Sequence, residues 1–430
     1  MNLRARNQNP EHGGVLIATL FITAGIVIGL GSYMLLVRAQ YVSVARSQAW
    51  NAALELAEGG VEEAMAQLNP GATAKNMSVD RTANGWGSAS SGRYGPVSRT
   101  IATNNSYSVV FTDVQFPVIY STGYVTLPDI SATLTRVVRV ATTNVPLFNV
   151  SMAARTNINM NGNGLTANSF DSSKTNGSTN GRYDSSKTST NGDVAVLYGT
   201  LDIGNHNIAG DVFLGPTANF SGNANQVSGS IMTDFNSDYP QTVLPADVGS
   251  WISLPTPLLP TLVLVNGTLT AYTYVFNSSG NYIIPNMSGT IYVNTNARVR
   301  LEILNGGTDG VLVNSNGTNA GSLTIYVAAA SFTIGGNGSV DGGKAGNLAY
   351  YGLPSNTTIT LNGNNGFTGT LYAPSASLTL NGSGNSDYDV VGSVIANTIT
   401  TNGHFMFHFD EDLLNSGASR GYLAVSWTEL

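Results

Sequence analysis

From Gly13 to Leu68 the chain contains no proline, and from Val15 to Val37 it contains no charged residue. A proline-free run of this length supports one continuous helix, about 80 Å long at ~1.5 Å of rise per residue. Its first part exceeds the ~20 apolar residues that a bilayer crossing needs. Its second part is polar with an apolar stripe, Leu54, Val61, Ala64, Met65 and Leu68, at helical spacing. The helix is therefore expected to begin in lipid and to end beneath a folded domain. Gly25 and Gly29 are spaced to allow close helix packing. Two other readings of the segment stay open. A conventional secretory signal, cut after Ser43-Val44-Ala45, has a shorter apolar region of about 7–15 residues. A plain single-span anchor needs no processing.

The remainder of the chain is poor in charge and rich in turn formers. Charged residues make up 10% of the 430 positions, against a usual quarter, while Gly numbers 49 and the net charge is −7. That balance argues against an ordinary cytoplasmic enzyme, and its sign argues against nucleic-acid binding. The absence of cysteine excludes disulfides and thiolate sites. An aromatic content of 9% argues for a folded chain.

Asn69-Pro70-Gly71 stops the helix. The Gly-punctuated run from Ala72 to Ser98 is expected as loop, with Trp86 packed on the helix. Three alternating runs, Tyr107 to Phe111, Val118 to Val125 and Leu134 to Ala141, predict a small antiparallel meander. From Pro146 onward short alternating strands end in Asn-Gly, at Asn161-Gly162, Asn337-Gly338, Asn362-Gly363, Asn381-Gly382 and Asn402-Gly403. The last three fall 19 and 21 residues apart, near the repeat of a β-solenoid rung. One rung cannot bury its inward face alone, so rungs stack; Asn can then bond to Asn above and below while Gly takes the corner. Asn-Gly is also the commonest hairpin turn, so a β-sandwich is the rival architecture.

Two irregular stretches interrupt this pattern. Residues 171–192 hold Asp171-Ser172-Ser173-Lys174-Thr175 and its near copy Asp184-Ser185-Ser186-Lys187-Thr188, expected as a solvated polar insertion. Pro240, Pro245, Pro255, Pro257 and Pro260 mark an extended crossing over 236–262, anchored by Trp251. Strands resume at Thr261 to Val265, Ile291 to Val293, Val299 to Ile303 and Leu323 to Val327. The expected fold is mainly β with one long N-terminal α-helix: a leader over 1–14, a transmembrane helix and meander over 15–145, and a right-handed β-solenoid over 146–430.

The short basic leader with Arg4 and Arg6, the Gly before an apolar helix, and the Ala52-Ala53 to Ala57-Glu58-Gly59 run resemble the N-terminus of type IV pilin-like proteins, most closely minor pilins of the PilX type. The resemblance implies prepilin-peptidase cleavage after Gly14, leaving Val15 first, with Gly13 as the other site. Major pilins carry a Glu five residues into the mature chain; Thr19 stands there in this sequence, or Ala18 for the other site, which argues against a major subunit. A second resemblance rests on Met160 to Gly164, Ser169 to Ser172, Tyr351 to Pro354, Gly369 to Ala376, His404 and His408 to Leu413. These look like a bacterial envelope family that joins a PilX-type N-terminus to a β-helical domain of unknown function. That family implies architecture and a surface location, and no activity.

β-Helices also carry polysaccharide lyases and hydrolases, whose sites gather carboxylates and cations on one face. The candidates here are Asp387 and Asp389 flanking Tyr388, and the cluster Asp410, Glu411 and Asp412 beside His404 and His408. The cluster suits Ca²⁺ through hard oxygen ligands; the plainer reading is a polar cap on the last rung. On a strand His404, Met406 and His408 face one side and Phe405, Phe407 and Phe409 the other, so burial of the Phe row is expected ahead of metal binding. No phosphate loop or nucleophile elbow occurs, and Ser375 reads as a corner residue. The expected protein is a non-enzymatic, pilus-associated or membrane-anchored surface protein of the bacterial envelope, single-pass in the inner membrane with its C-terminal domain outside the cytoplasm. It needs no cofactor. Its partners are the membrane through Val15 to Val37, pilin-like subunits or pilus machinery, and a glycan or surface. The alternatives are a tethered β-helical carbohydrate-active enzyme and a self-polymerising surface-layer scaffold.

Overall fold

The computed structural model describes residues 12–69, 81–82, 84–127, 132–161, 166–314, 319–335, 339–341, 344–362, 366–382, 390–403 and 405–430. Most of the leader, Pro70 and Gly71, several Asn-Gly corners, Asp387, Tyr388, Asp389 and His404 lie outside the described residues. The chain divides into two compact units. The first holds the helix to Gln67, Arg81–Thr143 and Ala424–Leu430; the second holds Leu68, Asn69 and Asn144–Leu423. The fold is mainly β, with one long N-terminal helix, a small antiparallel sheet and no closed barrel.

In the first unit α1 (His12–Leu68) runs unbroken for 57 residues. The side chains from Val15 to Val37 are all exposed. Further along, Ala49, Ala53, Ala57, Val61 and Ala64 are buried. Of the expected stripe Val61, Ala64 and Leu68 are buried while Leu54 and Met65 are half-buried, so the inward line is built mostly of small residues. The reason is how closely the sheet approaches. A Cβ on Gly123 would collide with the carbonyl oxygen of Ala53, and one on Gly60 with the hydroxyl of Ser121. The sheet is β1 (Arg93–Ala102), β2 (Asn105–Thr112), β3 (Val118–Leu127) and β4 (Ala132–Pro146), joined beyond β4 by the strand Ser419–Glu429. β1 occupies a stretch expected as loop. Its pairing slips between Tyr94 and Val97 around Gly95-Pro96, and a proline is tolerated because β1 is an edge strand. Trp86 is buried against Phe111, with ring centroids 4.9 Å apart.

The second unit contains a sheet of 22 strands, and among the described residues its strand pairings are parallel. Leu301, Ile325, Tyr350, Leu371, Val394, Met152, Val194 and Val212 lie on one line of register, and all are buried in one core. The order along that line differs from the order in sequence. Strand Val390–Gly403 pairs with Phe367–Gly382 on one side and with Met152–Asn161 on the other. The last strands of the unit thus lie against the first, and mid-sequence strands end the line: Ile231–Met232 at one end, Ile252–Ser253 at the other.

The chain between those ends returns along the outward face. That face carries Tyr326, Tyr351 and Tyr372 in register, with centroids 5.5 and 6.3 Å apart. Phe235 contacts Phe213 at 5.5 Å, Tyr239 is buried beside Phe148 and Tyr372, and the Tyr372 hydroxyl donates to the Pro240 carbonyl at 2.6 Å. Asp247 pairs with Arg300 at 2.5 Å, and Trp251 meets Tyr326 at 6.1 Å. Ser375 holds this segment through Gln241 at 2.6 Å. At one corner Asn362, Asn381, Asn402 and Asn161 stand in register; Asn381 donates to Asn362 at 3.2 Å and Asn402 to Asn381 at 2.9 Å. Thr261–Val265 is a strand, but it belongs to a separate antiparallel hairpin with Thr268–Tyr272.

Replacing Gly123 with Ala inserts a methyl group into the α1 backbone. Thermal unfolding of the full-length protein in detergent should show the first unit destabilised by about 1–3 kcal/mol.

Candidate functional site

Three surfaces carry the chemistry that the sequence singled out: the strand Met406–Asp410, which lies between Val390–Gly403 and Thr166–Phe170 and so does not cap the stack, the Ser/Thr-lined outer face of the sheet, and α1.

Residues 171–192 do not form the fully solvated loop that their polarity suggests. Ser172, Ser178 and Tyr183 are buried, and the Tyr183 ring stacks on His408 at 3.6 Å. The twin Asp-Ser-Ser-Lys segments form matching turns. The backbone N–H of Ser173 donates to Asp171 at 2.9 Å and that of Ser186 to Asp184 at 3.0 Å. Lys187 ties the two turns together by donating to the carbonyls of Thr175 at 3.0 Å and Ser178 at 2.7 Å. This insertion covers the side of strand Met406–Asp410 that alternation would leave to solvent. His408 is fully buried, its Nδ1 2.6 Å from Asn168 Oδ1, and Phe405, Phe407 and Phe409 are buried as well. Sequence reasoning missed Asn168 and Tyr183; the signal available was an aromatic set between two polar copies.

The acidic cluster points in three directions. Asp410 is fully buried and accepts from the backbone N–H of Ser172 at 3.1 Å and of Asp412 at 3.2 Å. Glu411 accepts from the Ser169 hydroxyl at 2.7 Å and the Asn191 amide at 2.9 Å. Asp412 pairs with Lys344 at 3.0 Å. Among the described residues no three His, Asp or Glu side chains gather to hold a metal ion. Burial pushes the Asp410 carboxyl up to about 6, against the pull of its backbone hydrogen bonds.

On the outer face two rows of hydroxyl side chains run across successive strands. Ser331, Thr358, Ser377 and Thr398 form one register line; Thr333, Thr360, Thr379 and Thr400 form the second. The residues between them, Phe332, Ile359, Leu378 and Ile399, are buried in the core. Alternation on a strand therefore sends both hydroxyl rows outward. Their spacing is fixed by the sheet, at about 4.8 Å from strand to strand and ~6.7 Å between rows.

On α1, Glu63 receives Arg99 at 2.7 Å and the Tyr107 hydroxyl at 2.7 Å. Burial raises the Glu63 carboxyl, but these two donors outweigh it and hold the group below the usual carboxylate value. Tyr107 is pushed up to about 12 by burial and by the Glu63 charge. This polar contact fastens the helix to β1 and β2. Gly14 lies within α1 and is exposed, and Val15 is exposed beside it.

Residues 273–416, about a third of the chain, match the family model described as a domain of unknown function, DUF7305. A comparison with curated proteins gives no match. Among solved structures, the competence-associated pilin ComZ from Thermus thermophilus is 14% identical, covers 89% of this chain and 98% of its own, and superposes with a TM-score of 0.29. A likeness that distant carries no argument about this chain.

Asp410 yields a pH prediction. Its folded-state value lies above the ordinary 3.8, so ionising it costs stability. That part of stability is complete below about pH 4 and is lost as pH rises to about 6. Asp410→Asn keeps the acceptor toward Ser172 and removes the titration. Above pH 6.5 the variant should be roughly 1–3 kcal/mol more stable than wild type, with the gap closing below pH 4 in melting curves.

Proposed function

We propose that this chain is a PilX-like minor pilin or pilin-like envelope protein, processed between Gly14 and Val15, held in the inner membrane through Val15 to Val37, and displaying its C-terminal domain outside the cytoplasm. The observation that carries the reading is α1. One unbroken helix has an uncharged, exposed apolar half of mean hydropathy 2.3 and a second half packed beneath an antiparallel sheet. A helix that is greasy over one length and small-sided over the next suits lipid first and a folded head afterwards. The basic leader and the glycines at the proposed cleavage point agree with this reading.

The displayed domain, on this reading, is a right-handed β-solenoid spanning about 146–430. Parallel pairing between strands roughly one repeat apart supports it, as do the shared register lines and the stacked Asn corner. Hairpins built on Asn-Gly turns would instead pair neighbouring strands antiparallel. Right-handedness is the sense that parallel crossovers take. The role assigned to the domain is adhesion or scaffolding. The two Ser/Thr rows offer regularly spaced hydroxyls to a glycan or other hydroxyl-bearing surface, and a rigid array loses little entropy on contact.

N-terminal sequencing of the mature protein tests the processing step. A start at Val15 is expected, and a start at Met1 leaves a plain anchor. For the adhesive role, Thr358→Val, Thr379→Val and Thr400→Val together keep the strand shape and remove three hydroxyls. Retention on polysaccharide-coated surfaces should fall about tenfold, roughly 1.4 kcal/mol; undiminished retention rules the hydroxyl rows out.

A further inference from the structure

One piece of the second unit stands apart from the parallel sheet. Thr261–Val265 and Thr268–Tyr272 form a two-stranded antiparallel sheet with no third strand among the described residues. Leu262 lies opposite Ala271 and Leu264 opposite Leu269, so these four share one face. That face is bare: Leu262, Leu264 and Leu269 are 64, 65 and 64% exposed. Beside it Leu258 is 99% and Leu259 80% exposed, between Pro257 and Pro260. The hairpin emerges between Ile252–Ser253, which ends the register line, and Tyr274–Phe276. No charged residue occurs between Asp247 and Arg298.

We propose that this hairpin is a self-association surface, docking its leucine face on the same face of a second copy of the chain. A lone two-stranded sheet is marginal in water, and leaving five leucines wet adds to that cost. A two-fold contact sets each surface against itself, which suits a patch without charge, since no like charges are brought together. The exposed apolar area amounts to several hundred Å², approaching the ~800 Å² per partner of a stable interface. Lipid is the poorer occupant. Among the described residues each strand has an outer edge without a strand partner; hydrocarbon leaves such backbone groups unsatisfied, whereas a face-to-face contact with a second hairpin keeps both edges in water. The surface is independent of events at Gly14, so a failure here leaves the processing step untouched.

The native chain contains no cysteine, so Leu264→Cys supplies a single thiol at the centre of the proposed contact. In full-length protein in detergent micelles, oxidation should give a disulfide-linked dimer. Adding Leu262→Thr and Leu269→Thr, which keep strand propensity, should slow its formation at least tenfold. Moving the thiol to Val263, on the opposite face, should do the same. No dimer, or a rate indifferent to these changes, overturns the proposal. So does a polarity-sensitive dye on the Leu264→Cys thiol whose blue shift needs added phosphatidylcholine vesicles, since that outcome assigns the face to lipid.

Discussion

Short strands cannot hold themselves together, and most strands of the second unit are no longer than Arg298–Ile303. Each presents only a few apolar side chains inward, too small an area to offset the ordering of its own backbone. The parallel ladder solves this collectively. Leu301, Ile325, Tyr350 and Leu371 follow one another at the strand spacing, so each inward side chain is covered above and below by its equivalents. Outward, the same register gives the Tyr326, Tyr351 and Tyr372 line on one face and the hydroxyl rows on the other. What such a scaffold presents outward is therefore repeated from strand to strand.

The helix of the first unit obeys a different constraint, close approach. Leu54, Val61, Ala64, Met65 and Leu68 at helical spacing suggested a conventional apolar stripe. The structure buries Val61, Ala64 and Leu68 of that stripe, leaves Leu54 and Met65 half-buried, and adds Ala49, Ala53 and Ala57, because β3 meets the helix at Gly123 too closely for large side chains. Glu63 then serves as a polar rivet between helix and sheet through Arg99 and Tyr107. Periodicity locates a buried face; the size of residues on it depends on the partner surface, which no local pattern reveals.

Much of the architecture was legible for that same reason. Val15 to Val37 announced an exposed apolar helix by composition alone, and the repeated Asn-Gly ends announced strand ends, three of which, at Asn362, Asn381 and Asn402, are linked by two Asn-to-Asn hydrogen bonds. What stayed hidden was long-range. Nothing near Arg93 signals that it will be an edge strand, since its partner β2 supplies the reason. The insertion at 171–192 reads as solvated because its polarity is local, while Tyr183 finds its stacking partner His408 more than two hundred residues away. Asp410 likewise looks like one of three equivalent acids until burial separates it from Glu411 and Asp412.

The adjacency of Met152 and Val394 bears on how this unit is made. A polypeptide delivered from its N-terminus presents Met152–Asn161 long before its neighbour Val390–Gly403 exists. During that delay the early strand keeps an unsatisfied edge, and assembly can advance from it only toward Val194 and Val212. The later strands must form their own stack and then seat its final layer on the waiting edge. A chain interrupted before Val390 therefore keeps the edge of Met152–Asn161 open to any other strand that meets it.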